Sequence, residues 1–334
     1  MEKEKNKRPG PDTTVIIPNL NGMRYLKDCL DSLLACEERP FPVIVVDNGS
    51  TDASRDFVRR EYPSVDLFCF PENRGFSAAV NAGIQKAQTA YVILLNNDTV
   101  VEKHFVSRLT KAVSEKENYF SAGARMVTMS DPQVIDDAGD YYCVLGWAFA
   151  RGKGKARERY ERPCNVFAAC GGAAIYRTKA LRELGLFDEA FFAYLEDIDI
   201  GYRAKLQGYV NRFEPGAVVR HAGSGSSGSR YNAFKVRLSS RNSVYLPLKH
   251  MPLPQLLLNL PFLLAGYILK YLFFLKKGYG CLYLEGLRKG LRMGLQERKR
   301  KKASVVSVGR KALPVYLRIE GELLYNLLLR LFFC

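Results

Sequence analysis

A doubly wound α/β fold with a mostly parallel sheet is predicted by three features of the chain. Short apolar runs at residues 13–18, 42–47, 65–70 and 91–95 read as strands buried on both faces. Segments with helical apolar spacing separate them, and the connections are short enough for β-α-β units. Polar residues gather where the runs end, which is where open α/β sheets place their ligands.

The first run, Thr-Thr-Val-Ile-Ile-Pro, stops at Pro18, which cannot donate to a ladder. A polar turn, Asn19-Leu-Asn21-Gly22, precedes a helix whose apolar face is Leu26, Leu30, Leu33 and Leu34. The second run ends in Asp47-Asn48-Gly-Ser-Thr-Asp52, where Ser50 or Thr51 can cap the following helix. After the third run, Pro71-Glu-Asn73-Arg74-Gly75 leads into a helix over 77–88. Ala78, Ala79, Ala82 and Gly83 let that helix lie close to the sheet or to a ligand. The fourth run, Tyr91-Val-Ile-Leu-Leu, breaks off into Asn96-Asn97-Asp98-Thr99, which places Asp98 where a nucleotide-bound metal can be held.

Further on, 102–115 reads as a charged amphipathic helix, and 151–162 as a basic, mobile loop after the single tryptophan, Trp147. Cys170-Gly171-Gly172-Ala-Ala-Ile-Tyr-Arg177 reads as a tight glycine turn entering a strand. Glu196, Asp197 and Asp199 start a helix that ends at Gly208, and 218–221 is a short strand ahead of a Gly/Ser run over 222–229.

The net charge of +16 is uneven: residues 251–334 hold 15 Lys+Arg against 4 Asp+Glu, the first 250 hold 35 against 30. An anionic surface met by one end of the molecule is expected. Eight cysteines without a Cys-x-x-Cys pair read as reduced thiols of a cytosolic protein. Residues 1–12 have no apolar core of a signal peptide and read as a disordered tip. Neither a Gly-x-Gly-x-x-Gly after the first strand nor a Gly-x-x-x-x-Gly-Lys-Ser/Thr is present, which argues against a dinucleotide-dependent dehydrogenase and a P-loop NTPase.

The motifs Val15-Ile-Ile-Pro-Asn-Leu-Asn-Gly22, Val45-Val-Asp-Asn-Gly-Ser-Thr-Asp52 and Asn73-Arg-Gly-Phe-Ser-Ala-Ala-Val-Asn-Ala-Gly83 occur in this order. They continue as Leu94-Leu-Asn-Asn-Asp-Thr99, Cys170-Gly-Gly-Ala-Ala174, Phe187-Asp-Glu-Ala-Phe-Phe-Ala-Tyr-Leu-Glu-Asp-Ile-Asp199 and Arg241-Asn242. In these the chain resembles family 2 glycosyltransferases of the GT-A fold, closest to the rhamnosyltransferase-like branch. The resemblance implies that Asp47 reads the nucleobase, with Pro18 and Asn19 beside base and ribose, and that Arg74 lies close to the nucleotide. It places Asn21, Asn48, Asn73, Gly75, Asn81, Asn96 and Asn97 on the nucleotide-sugar side, and Gly171, Gly172, Glu196 and Asp199 on the acceptor side, where the two acids position the acceptor or brace the site. It makes Asp98 the second acid of the Asp-x-Asp metal motif, with Asn96 in the first position, and His221 a further ligand to Mn²⁺ or Mg²⁺. One carboxylate in place of two weakens such a site. Asp197 is implied as the catalytic base, since inverting transfer needs a carboxylate to take the acceptor hydroxyl proton. Arg241-Asn242 resembles a late basic motif that touches phosphate.

Residues 256–275 are long and apolar enough to span a membrane. Asn259, Gly266, Lys270 and Lys277 nevertheless fall along one side of a helix, which suits an interfacial or re-entrant segment as well. The basic run over 288–302 suits anionic lipid; nucleic acid, its competing partner, lacks an accompanying binding signature. Residues 323–334 read as a second amphipathic helix. The expected organisation is a tip (1–12), a GT-A domain (13–245) and a helical membrane-associating region (246–334). The expected activity is transfer of a sugar, rhamnose by branch similarity, from a dTDP- or UDP-linked donor to a glycan or lipid-linked acceptor at the cytoplasmic face of the cell membrane. A scaffold with a decayed site and a processive polysaccharide synthase are the rival readings, although the synthase's Gln-x-x-Arg-Trp motif is missing.

Overall fold

The computed structural model describes residues 12–37, 40–223, 231–303 and 313–332. Strands β1 (Thr13–Asn19), β2 (Val43–Asn48), β3 (Asp66–Phe70) and β4 (Tyr91–Leu95) pair in parallel in the order β3-β2-β1-β4. Helices α1 (Met23–Leu34), α2 (Ser54–Glu61) and α3 (Phe76–Lys86) make the crossovers. Side chains alternate between two cores as the strand period requires. Val15, Ile17, Val43, Val45, Ile93 and Leu95 join the α1 side, whereas Ile16, Ile44, Val46, Val92 and Leu94 join the α3 side. A Cβ at Gly83 would stand 2.4 Å from Ile16, so the small residues of α3 do let it lie on the sheet.

The second half widens the sheet. It contains β5 (Thr99–Val101), α4 (Phe105–Ser114), β6 (Tyr119–Thr128), β7 (Ile135–Asp137), β8 (Asp140–Cys143), β9 (Trp147–Ala150), β10 (Cys164–Val166), β11 (Ala173–Arg177), α5 (Thr178–Glu183), α6 (Glu196–Leu206) and β12 (Val210–His221). Strand β11 runs antiparallel between β4 and β6, and β12 runs parallel to β6. The strand expected over 218–221 is therefore longer. Pro215 and Gly216 sit in a register shift between Glu214 and Val218 instead of ending it. The basic loop after Trp147 is not loose. Arg151 stacks over Tyr160 and Phe213 at 4.7 and 5.3 Å, and the backbone of 154–157 bonds to Gln133 and Ile135.

Four helices close the chain: α7 (Ala233–His250), α8 (Leu253–Lys276), α9 (Gly280–Ala303) and α10 (Leu313–Phe332). The expected division after residue 245 falls inside α7. Helix α9 lies against α7 along Gly286, Gly290 and Gly294, where an added Cβ would come within 1.8, 2.1 and 2.5 Å of Ser240, Arg241 and Leu248. Helix α10 packs on α6 through Ile319 and Leu323, and Lys205 Nζ meets Glu322 at 2.9 Å.

Asn259, Gly266 and Lys270 of the polar stripe face the protein, whereas Lys277 is exposed. Asn259 is buried and, with Gln255, donates to Glu320 at 2.8 Å. Gly266 O accepts from the Trp147 indole at 3.2 Å, and Lys270 lies over the Trp147 ring. The outward face carries Leu257 and Leu258, about 60% exposed (59% and 61%), and α8 is long and apolar enough to cross a membrane. Residues 1–11, 224–229 of the Gly/Ser run, and Cys334 lie outside the described residues; the seven described cysteines are free.

Candidate active site

The ends of β1, β2 and β4 meet through amides. Asn19 Nδ2 donates to Asp47 at 3.0 Å, and Asn97 Nδ2 donates to Asn19 Oδ1 at 2.7 Å. Asp47 is buried and also accepts from the Ser50 N–H at 3.0 Å and from Arg55 Nε at 2.5 Å. Burial works against its charge, but these bonds outweigh it and hold the carboxyl below its ordinary value. Pro18 pairs with Val46 one register step earlier.

Several amides expected on the nucleotide side hydrogen-bond within the chain. Asn48 receives the Arg74 N–H at 2.9 Å and donates to Asn73 and to Gly75 O, while Asn73 accepts from the Gly75 N–H. Together they shape the 73–75 turn, in which Gly75 takes φ +87° and Phe192 leaves no room for a Cβ. Asn21 Oδ1 accepts from the Thr51 N–H at 2.8 Å and fixes the β2 loop to the β1 turn. Asn81 is buried and exchanges both amide ends with the Phe187 backbone, at 2.8 and 3.0 Å. Arg74 remains half exposed, stacked over Phe70 and 3.6 Å from Glu189.

Asp98 and His221 are in contact: Oδ1 and Nε2 lie 3.2 Å apart. Pairing of β5 with β12 brings them together, with His221 opposite Thr99. The other ring nitrogen meets Asp136 at 2.7 Å, and Asp136 also pairs with Lys153 from the basic loop. Burial disfavours the charge on His221, yet Asp136 and Asp98 raise it to about 9, and Asp136 is held down at about 2 by His221 and Lys153 despite its own burial. Once a cation displaces the Nε2 proton, the Asp98 carboxylate and the His221 imidazole, oriented by Asp136, form a donor set that fits a divalent cation.

Asp197 stands at the start of α6, where Oδ1 accepts from the Ile198 N–H at 2.8 Å. The Gly171 N–H and Asp140 also donate to it. Burial nonetheless leaves its carboxyl above the ordinary value. Asp140 is raised much further, first by burial and then by Asp137 and Asp197, so it holds the proton in the pair. Asp137 is pushed up to about 7 by the same burial, and the ligand atoms of Asp137, Asp140 and Cys170 lie within 4.8 Å of one another. The glycine turn serves close approach: Gly172 O accepts from the Asn96 N–H at 2.8 Å, and a Cβ at Gly172 would crowd the half-buried Asn96 amide at 3.0 Å.

The loop ahead of Asp197 is strained. Phe192, Tyr194 and Leu195 take φ of 63°, 71° and 68°, which costs on the order of 1–3 kcal/mol each. Buried Asn242 grips it by donating to the carbonyls of Phe191, Ala193 and Tyr194 at 3.0, 2.9 and 2.7 Å. Arg241 donates to Ala190 O and Phe191 O. The Arg241-Asn242 pair thus holds this loop where a phosphate contact was expected.

Asp199 points into the protein interior. Its side chain is fully buried and ion-paired with Arg203, Lys249 and His250 at 2.6, 2.6 and 2.7 Å. Burial alone would raise its carboxyl, but these cations keep it well below the ordinary value. Glu196 is buried, with Oε2 lacking a partner among the described residues, and burial followed by the neighbouring Asp197 raises its carboxyl well above the ordinary value. Asp136, Asp137, Asp140 and Arg55 were not singled out from the sequence. The cluster Asp136-Asp137-Ala-Gly-Asp140 was the one available signal, three acids within five residues of a largely apolar stretch.

Solved structures share this architecture. A mannosyltransferase from Pyrobaculum calidifontis, in complex with GDP-Man and Mn²⁺, matches 85% of this chain and 84% of its own at TM-score 0.52 and 17% identity. GalNAc-T7 with UDP, GalNAc and Mn²⁺ matches 69% of this chain at TM-score 0.54 and 17% identity, over 47% of its own length. The fold is that of the GT-A glycosyltransferases. The family model for glycosyl transferase family 2 matches residues 14–185, and the chain belongs to that family. One relative, 31% identical over 232 residues (61% of this chain and 74% of its own), is an N-acetylglucosaminyl-diphospho-decaprenol L-rhamnosyltransferase of Mycobacterium tuberculosis.

Proposed function

We propose that this glycosyltransferase is inverting and metal-dependent. In this reading it moves a sugar, rhamnose from a dTDP donor by the relative's chemistry, onto a polyprenyl-linked or glycan acceptor at the cytoplasmic face of the cell membrane. The observation that carries the reading is the placement of Asp197: a carboxylate at a helix start, fed by two backbone N–H groups and by protonated Asp140. The acceptor hydroxyl gives its proton to Asp197 as its oxygen bonds to the anomeric carbon. The bond from that carbon to the diphosphate breaks on the opposite face, and the nucleoside diphosphate leaves with the electron pair. Asp98 and His221 would hold Mn²⁺ or Mg²⁺, which supplies positive charge to the leaving diphosphate when bound. Half-exposed Arg74 adds charge on the same side. Asp47, Asn19 and Pro18 remain the base-side group, and Arg55 must swing off Asp47 for a nucleobase to reach it.

Asp197→Asn is the direct test. It should bind UDP or dTDP like the native enzyme while transfer falls by roughly 10²-fold or more, as loss of general base catalysis implies. Full turnover by that variant would remove Asp197 from the role. Unchanged turnover without divalent cation would do the same for Asp98 and His221.

A further inference from the structure

Helices α7, α8 and α9 enclose a groove of about 300 Å³ walled almost wholly by hydrocarbon, including Val244, Pro247, Leu260, Leu264 and Leu287. The volume sits at the lower edge of small-molecule sites, roughly 300–1,000 Å³. Arg288 is its one charged lining residue; Arg292 follows on an exposed position of α9, and exposed Lys289 is paired with Glu285 at 2.9 Å. Leu260 and Leu264 are 42% and 50% exposed, so the groove opens on the outward apolar face of α8. Its inner wall is α7, the helix whose Asn242 and Arg241 grip the loop before Asp197.

We propose that this groove holds the hydrocarbon chain of a polyisoprenoid diphosphate-linked acceptor, with its diphosphate against Arg288. An apolar slot bordered by Arg288 matches an amphiphile with a hydrocarbon tail and an anionic head, and a slot of about 300 Å³ takes one segment of such a tail. Continuity with α7 places that chain on the element that fixes the catalytic loop. The assignment rests on the lipid-linked part of the functional reading above.

The test uses the full chain in nanodiscs with a long-chain polyprenyl diphosphate bearing a photoreactive group on its tail, and maps the labelled residues by mass spectrometry. Labels are expected on Leu260, Leu264, Leu287 and Leu291, displaced by unlabelled polyprenyl diphosphate and not by phosphatidylglycerol. Leu264→Trp, which narrows the groove, should cut labelling roughly tenfold, a loss of about 1.4 kcal/mol. Leu291→Trp, at a 48%-exposed position that tolerates bulk, should do the same if the first variant is unstable. Labelling confined to outward residues such as Leu257 and Leu272, or equal displacement by phosphatidylglycerol, would overturn the assignment. Groove labelling in a protein that transfers no sugar would instead count against the functional reading alone, and active transfer with labels elsewhere against the groove alone.

Discussion

Asp197 can act as a base only while ionised, so its neighbours set the pH at which the site works. Burial raises its carboxyl and the bond from Asp140 pulls it back. Asp140→Ala removes that donor, so the acid limb of the pH–rate profile should move to higher pH. Asp140→Asn keeps an N–H donor and should leave the limb close to native. An identical profile for all three proteins would show that Asp140 has no hold on the base. Asp199 shows the opposite electrostatics, a buried carboxylate kept ionised by Arg203, Lys249 and His250. Truncating one member of such a buried set typically costs roughly 3–5 kcal/mol, and that loss is predicted for Asp199→Ala. Because its folded-state value lies below the unfolded one, the contribution is present above about pH 3.9 and disappears as pH falls through the folded value. Melting temperatures of native and variant protein should therefore converge on acidification. A gap that persists at low pH would assign the loss to packing.

At the scale of elements, the contact between α7 and α9 governs how firmly the catalytic loop is held. The grip of Asn242 on three carbonyls depends on the seating of α7, and α9 braces α7 through its glycine seam. With Arg241 O only 2.1 Å from the place of a Gly290 Cβ, Gly290→Leu must push the helices apart. Overpacking of this kind costs typically 1–3 kcal/mol, and a fall in melting temperature together with a fall in transfer rate is expected. A variant that loses stability but keeps its rate would uncouple the seam from the loop. The seam at residues 286, 290 and 294 is visible in the sequence as a four-residue spacing of glycine. Its partner is not, since spacing identifies a face without saying which helix meets it.

For the whole molecule, the C-terminal stretch combines charge and apolar surface. Residues 251–334 carry 15 basic against 4 acidic residues in sequence, and within them α8 turns leucines outward. Binding to vesicles containing phosphatidylglycerol should weaken from low salt to about 1 M NaCl, where the screening length falls to roughly 3 Å. It should not vanish, because the α8 face is indifferent to salt. Sedimentation with vesicles at both salt concentrations measures this, and salt-independent binding would leave the basic residues without a part in it.

Strand and helix order, the two-faced sheet and the positions of Asp47, Asp98 and Asp197 at strand and helix ends followed from the sequence. Period-two and helical apolar patterns, and polar residues at the ends of buried runs, are local properties of the chain. The tertiary structure decided what each polar group does. Asn48, Asn81 and Asp199 look like ligand-binding residues along the chain, and in the fold these buried groups find partners in backbone groups and buried cations from distant segments. The pairing of Asp140 with Asp197, 57 residues later in the numbering, and the inward turn of the α8 stripe arise for the same reason. Which groups share a proton or a dry interior depends on which surfaces meet, and only packing determines that.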